Sequence, residues 1–209
     1  MQLTKQEKMQ RLVDQMGRCY LCPFAFHRVK IVPYSGSIES PVALVGEGPG
    51  KEEDESGEAF IGPAGRDMTT AMTSFSIKRE HLFICNLLKC RPKKPYSLKD
   101  NATPGKFEVE NCFPYLWEQI NIVKPKLVVL VGGTAAKWVL NVGSVTMGKS
   151  AGNKDKLKVF GKNVVDWDCD YTIMWHPAAA LHNPNNKKIV NQSMKDTFHL
   201  VRQYLTIGD

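Results

Sequence analysis

Four short apolar runs constrain the fold more than any other feature of the chain: Val42-Ala43-Leu44-Val45-Gly46, Leu82 to Leu88, Leu127 to Val131, and Tyr171 to Trp175. None alternates polar with apolar residues, so each reads as a strand buried on both faces. Helical signals lie between them. Leu3, Met9, Leu12, Val13 and Met16 recur at helical spacing over residues 3–16. Pro63 to Ser76 reads as a helix with Pro63 in its first turn. Phe107 to Val123 reads as a helix broken or bent at Pro114. Thr134 to Leu140 forms a short helix after Gly132-Gly133, and Asn186 to Leu205 the closing one. Lys51 to Ser56 is acidic and polar and reads as loop, Arg91 to Pro104 as a long loop, and residues 141–163 as irregular chain. Strands alternating with helices predict an α/β fold: a single domain over residues 1–209, a three-layer α/β/α arrangement with a central, mostly parallel four-stranded sheet. Ligands of such folds sit beyond the carboxyl ends of the strands. Three of the four ends carry unusual residues, namely Gly46-Glu47-Gly48-Pro49-Gly50, Asn86 and His176, and that convergence predicts a site.

Composition excludes several classes. The start, Met-Gln-Leu-Thr-Lys-Gln-Glu-Lys, is charged and lacks the apolar centre of a signal peptide. No apolar run approaches the ~18 residues of a membrane span. The expectation is therefore a cytoplasmic protein in a reducing compartment, its six cysteines thiols or metal ligands, with nucleoid association and a monomeric state as separate expectations. The net charge of +7 suits a polyanionic partner, with Arg91, Lys93, Lys94 and Lys99 forming one basic group and Lys187 and Lys188 another.

Cys19 and Cys22 form a C-x-x-C pair, and Cys90 and Cys112 flank the lysine-rich loop. The gaps between these four are two, 67 and 21 residues. Four thiolates can close a tetrahedral zinc site or hold an iron–sulfur cluster. The wide gap excludes a compact zinc finger and ties an N-terminal segment, about residues 1–30, to a distant loop. Cys85 and Cys169 lack motif context and read as buried thiols.

Together these residues resemble a known family. Gly46-Glu47-Gly48-Pro49-Gly50-Lys51-Glu52-Glu53-Asp54 with Ala59-Phe60-Ile61-Gly62-Pro63-Ala64-Gly65 is similar to the first motif of the iron–sulfur (family four) uracil-DNA glycosylases. Asn86-Leu87-Leu88-Lys89-Cys90-Arg91-Pro92 resembles their Asn-x-x-Lys-Cys-Arg-Pro block. His176-Pro177-Ala178 with Leu181 and Asn183-Pro184 resembles their second motif. The C-x-x-C-Pro start and the Cys112-Phe-Pro-Tyr-Leu segment also match, so the resemblance runs from about residue 18 to 205.

The resemblance implies hydrolysis of the N-glycosidic bond of uracil in DNA, single- or double-stranded. An abasic site is left for base excision repair, with a replication or repair partner as a further expectation. It implies a [4Fe–4S] cluster on Cys19, Cys22, Cys90 and Cys112, anchoring the N-terminal segment and the loop. His176 would donate to the departing uracil O2, where negative charge develops. Asn86 would accept from uracil N3 and donate to O4, a pattern cytosine reverses. Phe60 would stack on the base. Glu53 would lie near uracil C5 and crowd out a thymine methyl, and the backbone of Glu47 and Gly48 would touch the base. Lys93, Lys94, Lys99 and Lys187 would meet phosphates, and Leu181 would wedge into the vacated stack.

The chain departs from the family pattern at several positions. Gly48 stands where alanine is common, which enlarges the pocket slightly. Neither residue can act as a base, so water activation has no assigned residue and a dissociative path is expected. His182 replaces a common arginine, Lys149 stands near a typical Arg-Gly, and the Cys90–Cys112 loop is long and lysine-rich. Three alternatives remain at this level: a non-catalytic module binding uracil or single-stranded DNA, a glycosylase for hypoxanthine or mismatched uracil, and a redox iron–sulfur protein.

Overall fold

The computed structural model describes residues 2–93 and 101–205. Its frame is a six-stranded sheet. The four apolar runs form its centre: β2 (Val42–Gly46), β3 (Phe83–Asn86), β4 (Leu127–Val131) and β8 (Asp170–Met174). They lie in the order β3-β2-β4-β8, and each neighbouring pair is parallel. Two short strands extend the expected four to six. β1 (Ser35–Gly36) pairs antiparallel with β3, and β5 (Lys154–Lys156) pairs antiparallel with β8. A separate hairpin, β6 (Val159–Phe160) and β7 (Asn163–Val164), lies within the stretch expected to be irregular.

Alternate residues of each central strand feed opposite cores. Ala43, Val45, Val128 and Leu130 pack on one face with α1 (Lys5–Gly17), α4 (Lys106–Val123) and α5 (Gly133–Val139). Val42, Leu44, Val129 and Val131 pack on the other with α3 (Pro63–Thr73) and α8 (Lys187–Tyr204). Both faces are covered, which is why the strands need no polar alternation. Two shorter helices, α6 (Met147–Ser150) and α7 (Ala178–His182), complete the set with α2 (Lys51–Ser56). Among the described residues, no helix is long and apolar enough to cross a membrane.

Two local expectations change. Lys51–Ser56 is helix α2, not loop. Glu52, Glu53 and Asp54 occupy its first turn, where carboxylates favour the helix dipole, and Gly57 ends it at φ 84°. Glu53 and Asp54 are buried, so the acidity that looked like solvated loop serves packing. Helix α4 continues through Pro114 without a break. Pro114 is exposed, and the face carrying Val109, Leu116, Ile120 and Val123 is buried, which outweighs one missing backbone bond.

The chain passes from β2 to β3 on one side, then returns to β4 on the other. The connection after β2 lies on the α3 face, and the one after β4 on the α5 face. The carboxyl ends of β2 and β4 therefore flank a topological switch point, the place where open α/β sheets bind ligands.

Candidate active site

A cleft of about 520 Å³ opens at that end of the sheet. Gly48, Glu53, Phe60, Asn86, His176 and Leu181 all border it. Gly46, the last residue of β2, pairs with Asn86, the last of β3. A Cβ on Gly46 would fall 2.5 Å from Asn86 Oδ1 and closer still to the Phe60 ring. Only a bare backbone here lets the amide and the ring meet over the strand end. Asn86 is 2% exposed, and no group among the described residues hydrogen-bonds its carboxamide. Asn86 lines the cleft, so its donor and acceptor are available to a ligand there.

Phe60 sits at φ 55°, a left-handed conformation rare for a bulky residue. Three devices hold it. The carboxylate Oε1 of Glu53 accepts from the amides of Ile61 (3.0 Å) and Gly62 (2.8 Å). The Arg79 guanidinium donates to the carbonyl of Phe60 (2.8 Å), to Ser35 Oγ (2.9 Å) and to the carbonyl of Ala59. Gly65 leaves room for the Phe60 carbonyl, which any Cβ there would strike.

His176 follows β8, and its ring centroid lies 6.2 Å from that of Phe60. Gly132 (φ 92°) makes room for it, because a Cβ there would sit 3.1 Å from His176 Cβ. The amide of Ala178 donates to His176 Nδ1 at 3.1 Å. Burial, followed by the nearby His182, lowers the His176 pKa to about 4. The neutral ring then carries its proton on Nε2, because Nδ1 is already accepting.

The other expected residues fall in different places. Glu47 stands beside the cleft rather than in its wall, and its carbonyl accepts from Leu88 N at 3.0 Å. A methyl at position 48 would meet Pro92 Cδ at 3.2 Å and Leu88 Cβ at 3.5 Å. Glycine at 48 therefore relieves contact with the loop as much as it widens the cleft. Leu181 is 53% exposed, not buried, and stands between the cleft and a neighbouring groove of about 730 Å³ that Lys187 borders. Lys93 bridges antiparallel to Asn101, while Arg91 Nε donates to Asn101 Oδ1 at 2.8 Å, closing the base of the basic loop. Lys94 and Lys99 lie outside the described residues. Arg79 and Gly132 were not foreseen as site residues, while Gly46 was marked by its place in the Gly46–Gly50 turn at a strand end. Arg79 lies in Lys78-Arg79-Glu80, which has the look of a solvated face, and nothing local marks it as a clamp.

All six cysteines are free thiols. Cys19, Cys22, Cys90 and Cys112 line one small cavity whose other walls include Met16, Phe24 and Leu88. Among the described residues, no group of histidine, cysteine and carboxylate side chains is gathered closely enough to hold a single metal ion. Two donors already point at sulfur: the Lys89 amide at Cys112 Sγ (3.3 Å) and Arg28 Nη1 at Cys90 Sγ (3.5 Å). Burial pushes the thiols of Cys22 and Cys90 up, and that of Cys112 up to about 12.

Residues 33–198 match the Uracil DNA glycosylase superfamily. The chain belongs to that superfamily. It is 35% identical to the Type-4 uracil-DNA glycosylase of Pyrobaculum aerophilum over 178 residues, covering 84% of this chain and 86% of that protein. It is 32% identical to the Type-4 uracil-DNA glycosylase of Thermotoga maritima, covering 88% of each chain. With that of Archaeoglobus fulgidus it shares 30% identity over 90% of this chain and 91% of the relative. The superfamily match spans β2, β3, β4 and β8 and so includes Asn86, Phe60 and His176. Cys19 and Cys22 precede it.

Proposed function

We infer that this chain is a uracil-DNA glycosylase, which hydrolyses the bond between uracil and deoxyribose in DNA. The convergence of Asn86, Phe60 and His176 on one cleft carries the reading. An extruded pyrimidine would lie against Phe60, whose left-handed turn fixes the ring plane. The unspent carboxamide of Asn86 would accept from N3–H and donate to O4. Cytosine offers the reverse pattern and would leave a buried amide unpaired. Glu53, with Oε1 already engaged by two amides, would serve as a wall near C5 and would not act as a base.

The N1–C1′ bond breaks with its electron pair passing to uracil. Charge gathers on O2, and the Nε2–H of neutral His176 would donate to it. Water then adds to the sugar cation at C1′, and its proton ends on uracil. A neutral donor suits this task because it need not be deprotonated or desolvated during the step. We assign no base for the water, and the path is dissociative.

The four cysteines would hold a [4Fe–4S] cluster. All are thiol donors, the cavity walls are apolar, and two N–H groups already point at sulfur. When bound, the cluster would supply a rigid cross-link between the N-terminal segment, the Lys89–Pro92 segment after β3 and α4. Exposed Leu181 would enter the vacated stack, and Lys93 and Lys187 would meet phosphates.

The test is a set of labelled oligonucleotides holding U, T, C or hypoxanthine, incubated with purified protein and then cleaved with alkali at abasic sites. Cutting confined to uracil is expected. Cutting at no base, or mainly at hypoxanthine, refutes the reading.

A further inference from the structure

Lys89 is 2% exposed and lines the cysteine cavity. It joins three parts of the molecule. Its Nζ donates to the backbone carbonyl of Asn86 at 2.6 Å. Its amide donates to Cys112 Sγ at 3.3 Å. Its carbonyl accepts from Val32 N at 2.8 Å, which docks the N-terminal segment. Among the described residues no carboxylate pairs with this ammonium. Lys89 shares the wall of that cavity with Cys19, Cys22, Cys90 and Cys112. Burial alone favours the neutral amine, so an ammonium is stable here only beside a compensating anion. Neutral thiols do not supply one. Thiolates that ligate a metal cluster do.

We propose that Lys89 is both the charge partner of the cysteine-held cluster and the positioning residue for Asn86, coupling cluster occupancy to the grip on the base. This rests on the reading that Cys19, Cys22, Cys90 and Cys112 hold an iron–sulfur cluster and that Asn86 reads the pyrimidine. The geometry gives the coupling its direction. Thiolate charge holds the ammonium inside. The ammonium ties down the Asn86 carbonyl, the last backbone acceptor of β3, and so fixes the origin of the Asn86 side chain. Without the cluster, Nζ has reason to leave its apolar site, and the end of β3 loosens.

Lys89→Met keeps volume and removes charge and donor together. The loaded variant should retain its iron, and its cluster midpoint potential should fall, because a lost cation no longer favours the more negative reduced form. Affinity for free uracil should weaken about tenfold, typical of losing a supporting hydrogen bond behind a ligand residue. In an Asn86→Ala background the same change should cost no further uracil affinity while still lowering the potential. An unmoved potential, or additive losses in the double variant, overturns the proposal. A merely structural lysine would lower thermal stability without moving the potential. Should K89M come without iron, wild-type protein stripped by a chelator decides: uracil affinity reduced to the K89M level supports the coupling, and unchanged affinity overturns it. A wild type that holds no iron or cuts no uracil defeats the underlying reading instead, so the two failures are distinguishable.

Discussion

Replacing Arg79 by alanine removes the guanidinium that clamps the Phe60 turn, and the size of the loss follows from the contacts. Arg79 reaches the carbonyls of Ala59 and Phe60 and the Ser35 hydroxyl. Hydrogen bonds from a charged donor contribute about 1.5–3 kcal/mol each when buried. Arg79 is half-buried, and the Ala59 carbonyl keeps the Ser35 hydroxyl as a second donor, so the lower end applies. Against this stands the strain of Phe60 at φ 55°, about 1–2 kcal/mol for a left-handed residue with a Cβ. Once the clamp is gone, the turn relaxes toward ordinary backbone by roughly 2 kcal/mol, and the competent form falls about thirtyfold in population. Apparent affinity should weaken by that factor, because a ligand selects only the competent fraction. The assay is competition by free uracil together with single-turnover cleavage of a uracil oligonucleotide. R79A should weaken uracil binding and KM more than it lowers the rate at saturation. Arg79→Lys should recover part of the loss. Wild-type uracil affinity in R79A, or a loss confined to the saturated rate, refutes the reasoning.

Further expectations concern three residues of the same cleft. His176 has an ordinary value of 6.5 and is held near 4, so kcat/KM should stay flat from neutral pH down to about pH 5, and an acid limb at 6.5 would refute the neutral-donor assignment. The sign for stability follows the same depression: the unfolded chain binds the proton first, so the His176 contribution is full above pH 6.5 and is lost as pH falls toward 4, read as a narrowing gap in Tm between wild type and His176→Gln. Glu53→Gln should lower single-turnover cleavage by less than about tenfold, since it weakens two hydrogen bonds to Ile61 and Gly62 but removes no base; a loss of about a hundredfold or more would make Glu53 a general base. Gly46→Ala drives a methyl against Phe60 and Asn86, and overpacking of about 1–3 kcal/mol should lower kcat/KM roughly tenfold or more while the fold, followed by far-UV circular dichroism, persists.

What the sequence made legible depended on how local each signal was. The four central strands announce themselves because burial on both faces demands an unbroken apolar run. Strands β1 and β5 do not: Ser35-Gly36 and Lys154-Asp155-Lys156 are short and polar, and only pairing with a finished edge makes them strands. Asn86 and His176 stood out because polar residues at the ends of apolar strands need a reason. Arg79 did not, and Lys89 stood out only as part of a motif, since a cation in sequence carries no mark of its burial. The acidic run Lys51 to Ser56 misled for the same cause: read as loop, it is helix α2 with Glu53 and Asp54 buried, and Asp54 Oδ1 accepts from Val29 N at 3.0 Å.

That last bond also explains the wide gap in the cysteine spacing. The segment after Cys22 runs past the carboxyl ends of two strands. Arg28 binds the Cys19 carbonyl and Cys90 Sγ. Val29 meets Asp54 in α2, beside the cleft wall, and Val32 meets Lys89 beyond β3. One strap therefore braces helix α2, which carries Glu53, and the strand end that carries Asn86, and the proposed cluster would fasten it at its origin. A zinc finger would stabilise only itself. With 67 residues between Cys22 and Cys90, a cluster on these cysteines would hold the two halves of the proposed base pocket in register, and for that purpose long separation in sequence is what the geometry requires.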